Sequence, residues 1–209
     1  MLPPALLTTA YWPPVQYFIR LYAAEYIRLE TAEHFVKQTY RNRCTIASEG
    51  GPLSLSVPVE KGSNSQLTRD VRVSDHGQWR HLHWTALESA YDRSPYFFYY
   101  ADEFRPIYER QFTYLVDLNA AIVRKVLDLL SLTPTVLPTS RWEEPREGEE
   151  DLRETLRPKL PWTADPHFRP APYHQVFEQR HGFLPNMSIA DLLFNMGPEA
   201  RLVLRDSCC

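Results

Sequence analysis

LLTTAYWPPVQYFIRLYAAEYIRL, residues Leu6–Leu29, decides the fold. Leu6 to Trp12 is short, apolar and β-prone. Pro13-Pro14 ends it, because proline lacks the N–H a sheet ladder needs, yet its fixed φ suits the first turn of a helix. Val15, Phe18, Ile19 and Tyr22 recur at helical spacing, which predicts an amphipathic helix over Val15 to Ala24. Tyr26 to Leu29 returns as a second short strand. Strand, helix and strand in this order make a β-α-β unit, whose crossover pairs its strands in parallel. The turn between Tyr11 and Tyr17 lies at the carboxyl end of a strand and the start of a helix, where α/β folds place ligands. It holds no glycine-rich phosphate loop, and Pro13-Pro14 removes two backbone donors where such a loop would offer them.

Downstream, EHFVKQTYRNRCTI (Glu33–Ile46) sets charge against periodicity. Read as a strand, it puts Lys37, Thr39, Arg41, Arg43 and Thr45 on one face and Tyr40, Asn42, Cys44 and Ile46 on the other. Two readings stay open: an edge strand whose cations discourage edge-to-edge pairing, or an anion-binding strand anchored by a buried Asn42. After the Glu49-Gly50-Gly51-Pro52 turn, Leu53, Leu55, Val57 and Val59 alternate with Ser54, Ser56 and Pro58. That strand and residues 39–48 form an antiparallel hairpin. A polar loop follows over 61–67.

Helices come next. One stripe carries Trp79, Leu82, His83, Ala86, Leu87, Ala90 and Tyr91, with His83 facing inward. Ser94-Pro95 opens a ring-rich helix to about Tyr108. Phe112, Leu115, Val116, Asn119, Ile122, Val123, Val126 and Leu130 form a third stripe. Its single amide, Asn119, is expected to be buried and hydrogen-bonded, since an orphaned amide costs about 1–3 kcal/mol. Thr135 to Thr139 reads as a late strand. Trp142 to Arg157 is acidic and poor in apolar residues, a solvated, mobile excursion running into a Pro-rich stretch that ends at 172. Tyr173 to His181 reads as a short helix, and Ser188-Ile-Ala-Asp191 as a capping-box-like start for another. The expected architecture is a single α/β domain over residues 1–209. It has a mixed sheet, with an N-terminal β-α-β unit and an antiparallel hairpin, covered by a helical C-terminal half.

A net charge of -3 supplies no global basic field, which excludes bulk nucleic-acid binding. Three cysteines, two of them the terminal pair Cys208-Cys209, do not build a disulfide framework. A reducing cytoplasm is the expected location. The N-terminus has no signal-peptide pattern, and no apolar run is long enough to span a bilayer, so membrane insertion is not expected. His81-x-His83 points to two sides of a helix, against a metal site. No cofactor or oligomeric state can be read. Lys37, Asn42 and Arg43 are the leading candidates, because a guanidinium fork, an ammonium and an amide together suit a carboxylate or phosphate. Tyr11 and Tyr17 would wall the same pocket if the basic strand neighbours the first. His83 is either a satisfied core residue or a general base, and Cys44 either packed or a nucleophile beside Arg43.

AYWPPVQYF, EHFVKQTYRNRC, ESAYDRSPYF, LVDLN and FLPNMSIADLLFNMG, in this order, resemble the WbqC-like family over most of the chain, least around 142–170. The family's first turn commonly has the form P-Y-x-F-P-Y-x-G-Y-F. Tyr11, Pro13, Tyr17 and Phe18 match it, while Pro14 and Gln16 replace the aromatic and the glycine. Many members then carry an acidic pair, a lysine and an Asn-Arg-Asn-Arg run. Glu30, Lys37, Asn42 and Arg43 are kept, Thr31 replaces the second acid, and Cys44-Thr45 replace the second Asn-Arg. One arginine fewer changes the anion that can be held. The resemblance implies a place in bacterial surface-polysaccharide (O-antigen) biosynthesis. The expected activity is transfer of an aminoacyl (glycyl) or acyl group onto an amino-sugar intermediate. In it Lys37 and Arg43 hold an anionic donor, Asn42 orients it, and His83 or Glu30 removes a proton. The alternative is a non-catalytic module that binds a nucleotide-sugar or a carrier enzyme.

Overall fold

The first crossover forms where the prolines put it. In the computed structural model, which describes residues 1–63 and 65–209, β1 (Ala5–Thr8) leads through Pro14 into α1 (Val15–Ala23). β2 (Ile27–Glu30) lies parallel to β1, with Ala5 opposite Ile27 and Thr8 opposite Glu30. β1 is shorter than the Leu6–Trp12 pattern suggests. Trp12 adopts a left-handed φ of 40°, and the Tyr11 N–H donates to Tyr40 O at 2.8 Å, so the chain leaves the sheet before reaching the prolines.

The hairpin forms from β3 (Arg43–Ser48) and β4 (Gly51–Ser56), paired antiparallel with Arg43 opposite Ser56. β5 (Val136–Pro138), within the expected Thr135–Thr139 strand, pairs parallel to β2, and β6 (Glu150–Asp151) parallel to β1. The class, the β-α-β unit and the hairpin are as read. The strands divide between two sheets, one parallel in the order β5-β2-β1-β6 and one the hairpin alone.

Residues 33–42 are not part of a strand, which corrects the alternating reading of Lys37, Thr39, Arg41 and Arg43. Gln38 has a φ of 61°, the Thr39 hydroxyl donates to Val36 O at 2.9 Å, and the Asn42 N–H turns back to Thr39 O. Such local bonds offer the backbone an alternative to a ladder. Of the polar loop over 61–67, Asn64 lies outside the described residues.

α2 (Trp79–Tyr91), α3 (Phe97–Glu109) and α4 (Leu115–Leu129) follow the predicted stripes, except that Leu82 faces solvent. α5 (Glu178–His181) is a single turn, because Tyr173 and Gln175 are drawn off to bond the Asp191 carboxylate at 2.7 Å each. α6 (Ile189–Met196) begins at Ser188, whose hydroxyl accepts from the Ala190 N–H. Phe194 on α6 packs against Trp12, Tyr91, Phe97 and Phe104. Gly197 (φ 53°) lets the chain turn from α6 into α7 (Ala200–Asp206), and a Cβ there would lie 2.4 Å from the Tyr96 ring.

The acidic excursion is stitched down rather than solvated. Arg28, buried in β2, donates to both Glu149 oxygens at 2.8 Å and to Glu143 Oε2 at 2.5 Å. Arg20, buried in α1, pairs with Glu150 and Asp165. Carboxylates that read as solvent-facing in isolation find buried cations on the β-α-β unit.

Candidate functional site

The parallel strands aim their carboxyl ends the same way, and β1 is where the order switches. The chain runs from β1 through β2 to β5 on one side and returns as β6 on the other. Outside such a switch point α/β sheets bind their ligands. The residues gathered there are charged. Glu30, at the end of β2, is fully buried; its Oε1 accepts from the Ala32 N–H at 2.6 Å and the Thr139 hydroxyl at 2.9 Å. Its Oε2 accepts from the Glu143 N–H at 3.2 Å and lies 3.7 Å from Arg153 Nη1. Arg153, just past β6, grips Asp151 through Nε at 2.9 Å and Nη2 at 2.7 Å. Burial works against ionisation of Asp151, but the Arg153 hydrogen bonds and charge prevail and hold its carboxyl below the usual value.

The second half of the cluster comes from the turn before β3. Arg41 is 1% exposed and forks onto Glu33, Nε and Nη2 each 2.7 Å from one oxygen. This two-pronged geometry is the strongest available to a guanidinium–carboxylate pair. Arg41 Nη2 is also 3.8 Å from Glu154 Oε1, and Glu154 in turn pairs with Arg157. The Arg41 carbonyl accepts from Asn119 Nδ2 at 2.8 Å, and the same nitrogen donates to Thr9 Oγ1 at 3.1 Å. α4 is thereby tied to the ends of both β1 and the Arg41 turn. Asn119 is buried and bonded to backbone, as its place in the stripe requires.

Above this cluster the surface opens into a cup of about 220 Å³ lined by Val36, Lys37, Gln38, Thr39, Arg157, Lys159 and Leu160. Lys37 and Lys159 are exposed and have no ion-pair partner among the described residues. Arg157 Nε is buried without an acceptor among them. Glu154 stands beside the cup with its side chain 62% exposed. The arginines below are satisfied by carboxylates; the lysines above are not.

The model of the WbqC-like protein family matches residues 9–157. The chain belongs to the WbqC-like protein family. The uncharacterized protein Rv1507c of Mycobacterium tuberculosis is 30% identical to it, the match covering 96% of each chain. No solved structure matches. The family match runs from Thr9, at the end of β1, to Arg157, on the wall of the cup. It stops short of Lys159 and of the FLPNMSIADLLFNMG motif.

This WbqC-like protein separates the residues that the sequence groups. Lys37 lines the cup, but Asn42 and Arg43 do not. Asn42 Nδ2 donates to Val57 O at 3.0 Å, and Arg43 Nε to Ser56 Oγ at 3.0 Å, so both brace the hairpin. The Tyr11 backbone meets the basic turn, yet its hydroxyl lies 2.8 Å from His83 Nδ1 and 2.8 Å from the Tyr108 hydroxyl, which also accepts from Trp12 Nε1. Burial lowers the His83 pKa to about 4, so the ring is neutral at pH 7, enclosed among aromatic rings and bonded to none of the Glu30 partners. Tyr17 donates to Thr8 O at 2.9 Å and faces a different cavity, beneath α4. Burial raises the Cys44 thiol far above its ordinary value, which leaves it unreactive.

Glu33, Arg41, Arg153, Arg157 and Lys159 are not singled out by the sequence. Arg41 lies within the quoted basic stretch, but alternation gives it no rank over Arg43, and the other cations fall in the excursion and Pro-rich stretch. Among the described residues, no group of three or more His, Cys, Asp or Glu is arranged to hold a metal ion. Nor is any helix among them long and apolar enough to cross a membrane.

Proposed function

We propose that this protein is a cytoplasmic transferase that moves an aminoacyl, such as glycyl, or acyl group onto an amino-sugar intermediate of surface-polysaccharide biosynthesis. The donor's anion would rest in the cup of Lys37, Arg157 and Lys159. The observation that carries this reading is the pair of unneutralised lysines, Lys37 and Lys159, on a cup directly above the paired arginines at the switch point of the sheet. Lys37 and Lys159 supply charge, and the Arg157 guanidinium, held in place by Glu154, adds a third cation to the wall. The sugar amine attacks the donor carbonyl, a C–N bond forms, and the bond to the anionic leaving group breaks with its electron pair retained on that group. Cations already in position stabilise the departing charge without reorganising.

Glu154 takes the amine proton, since it is the most exposed carboxylate of the cluster. It replaces His83 and Glu30 in that role. His83 is enclosed by Tyr11 and Trp79, and both Glu30 oxygens already accept hydrogen bonds. Glu30, Arg153, Arg41 and Glu33 are positioning residues. The surface-polysaccharide context rests on the family resemblance.

The second reading, a non-catalytic module that binds a nucleotide-sugar or a carrier enzyme, is favoured by the burial of Cys44 and His83, neither of which lines the cup. One experiment separates the two. Wild type and the Lys37→Ala/Lys159→Ala double variant are screened by thermal shift with a UDP-sugar, acyl-coenzyme A and an aminoacyl adenylate. Each is then incubated with an amino-sugar and the products are weighed by mass spectrometry. At about 100-fold over its dissociation constant a donor stabilises the fold by roughly 2.7 kcal/mol. Stabilisation of wild type alone, followed by a mass gain on the sugar, supports the transferase. Stabilisation without turnover supports the module. An equal response from the double variant places the anion elsewhere and sinks both.

A further inference from the structure

A parallel sheet is normally covered on both faces, and here one face is covered only in part. Ile27 and Leu29 of β2 stand opposite Val136 and Pro138 of β5 in register, so the four share one face. Tyr17 and Leu21 of α1 flank that face on one side, and Val123 and Leu127 of α4 on the other. Between them lies a cavity of about 320 Å³, at the lower end of the roughly 300–1,000 Å³ typical of small-molecule sites. Tyr17, Leu21 and Ile27 are buried and line its interior. Val136 and Pro138, on the edge strand, and Arg124, on α4, are exposed and line its mouth.

Polar groups are spent inside this cavity and on offer only at its mouth. The Tyr17 hydroxyl donates to Thr8 O at 2.9 Å. Asn119 Nδ2 is engaged by Thr9 Oγ1 and the Arg41 carbonyl. Arg124 is the single charged side chain of the lining and has no ion-pair partner among the described residues. Asp128, one turn further along α4, makes no ion pair with it. A molecule that fits both regions has a hydrocarbon part directed inward and one anionic group directed outward. A guanidinium meets a carboxylate through two parallel N–H···O bonds. One guanidinium also balances one carboxylate, whereas a phosphate dianion would keep a charge unneutralised.

We propose that this cavity binds a small aliphatic monocarboxylate, its chain between α1 and α4 and its carboxylate on Arg124 at the mouth. The site shares no lining residue with the cationic cup and does not rest on the transferase reading; either can fail alone.

The test is a calorimetric titration of the full chain with octanoate, 1-octanol, octylamine and acetate. Octanoate should bind saturably, and 1-octanol about fivefold more weakly, the upper end for an exposed ion pair. Octylamine should be weaker still, and acetate, which has no chain to bury, should give no heat. Raising the ionic strength to about 1 M, where charges are screened within about 3 Å, should close the gap between octanoate and 1-octanol. Arg124→Gln, at an exposed position, should bring octanoate to the affinity of 1-octanol and leave 1-octanol unchanged. Val123→Phe fills the space and should abolish both while retaining the wild-type far-ultraviolet spectrum; where it does not fold, Arg124→Gln decides alone. The proposal is overturned if octanoate does not bind saturably, if octylamine binds as tightly, or if Arg124→Gln binds octanoate like wild type. Loss of octanoate binding in Lys37→Ala/Lys159→Ala, with Arg124→Gln unaffected, would put the carboxylate in the cup and overturn it as well.

Discussion

Two buried polar networks flank the first strand-to-helix turn, and they differ in how they end. On one side Trp12, Tyr11, Tyr108 and His83 form a neutral chain among aromatic rings. Hydroxyls and a neutral imidazole can each donate and accept, so such a chain can close on itself in hydrocarbon. On the other side Glu30 with Arg153 and Glu33 with Arg41 form ionic pairs. Arginine only donates and carboxylate only accepts, so every member needs an opposite partner, and the series continues outward through Glu154 and Arg157 to the surface. The closed network holds elements together. The open one reaches the surface at Arg157, beside Lys37 and Lys159, which have no carboxylate among the described residues, and there a ligand has a reason to bind.

The largest expected effect tests the ionic side. Arg153→Met leaves Glu30 buried without its cation and should destabilise by about 3–5 kcal/mol in urea denaturation, the range for breaking a buried pair. A midpoint within experimental error of wild type would mean that Glu30 is held by its backbone and Thr139 bonds alone. Next comes the joint between the two sides. Asn119→Leu removes the bonds to Thr9 and the Arg41 carbonyl and should cost about 1–3 kcal/mol by the same measurement; no loss would show that the Arg41 turn is fixed without α4.

The neutral side has a pH signature. Because burial lowers the His83 pKa from 6.5 to about 4, the unfolded chain binds the proton more readily. The stability this group contributes is complete above pH 6.5 and is lost as pH falls toward 4. Asp191 behaves in the opposite sense: burial raises its pKa from 3.8 to about 6, so its contribution is complete below pH 3.8 and is lost as pH rises through 6. Melting curves across pH 4–7 should therefore lose part of their acid limb in His83→Gln and steepen on that side in Asp191→Asn. Parallel curves for all three proteins would refute the assignment of these slopes. The smallest expected effect is the most telling for function. Lys37→Ala should change stability by less than about 0.5 kcal/mol, as expected of a solvated surface residue, yet weaken whichever charged donor the thermal-shift screen identifies. A large loss of stability would mean that Lys37 has a structural partner.

Much of the fold was legible because it rests on period and punctuation. Pro13-Pro14 marks α1, alternating Leu and Ser mark β4, and the stripe through Ile122 and Val126 marks α4. The excursion was misjudged because its carboxylates were weighed alone, while their partners, Arg20 and Arg28, sit on elements whose apolar pattern hides them. Of the proposed site, only Lys37 and, as a base rather than a positioning residue, Glu30 were legible in the sequence. Arg153 reaches Glu30 across most of the chain, and no local pattern reports such a pair. Arg41 and Arg43 look alike in sequence, but a turn rather than a strand sends one inward to Glu33 and the other toward Ser56.

β6 is only two residues long, and its position in the chain bears on biosynthesis. The β1-α1-β2 crossover leaves the ribosome before the excursion, carrying Arg20, Arg28 and Glu30, whose ionic partners are not made until residues 143–165. Until then these side chains must stay hydrated, which holds the young crossover partly open and keeps it charged and unattractive to other chains. The same arrangement makes closure a late, long-range event that local contacts cannot accelerate.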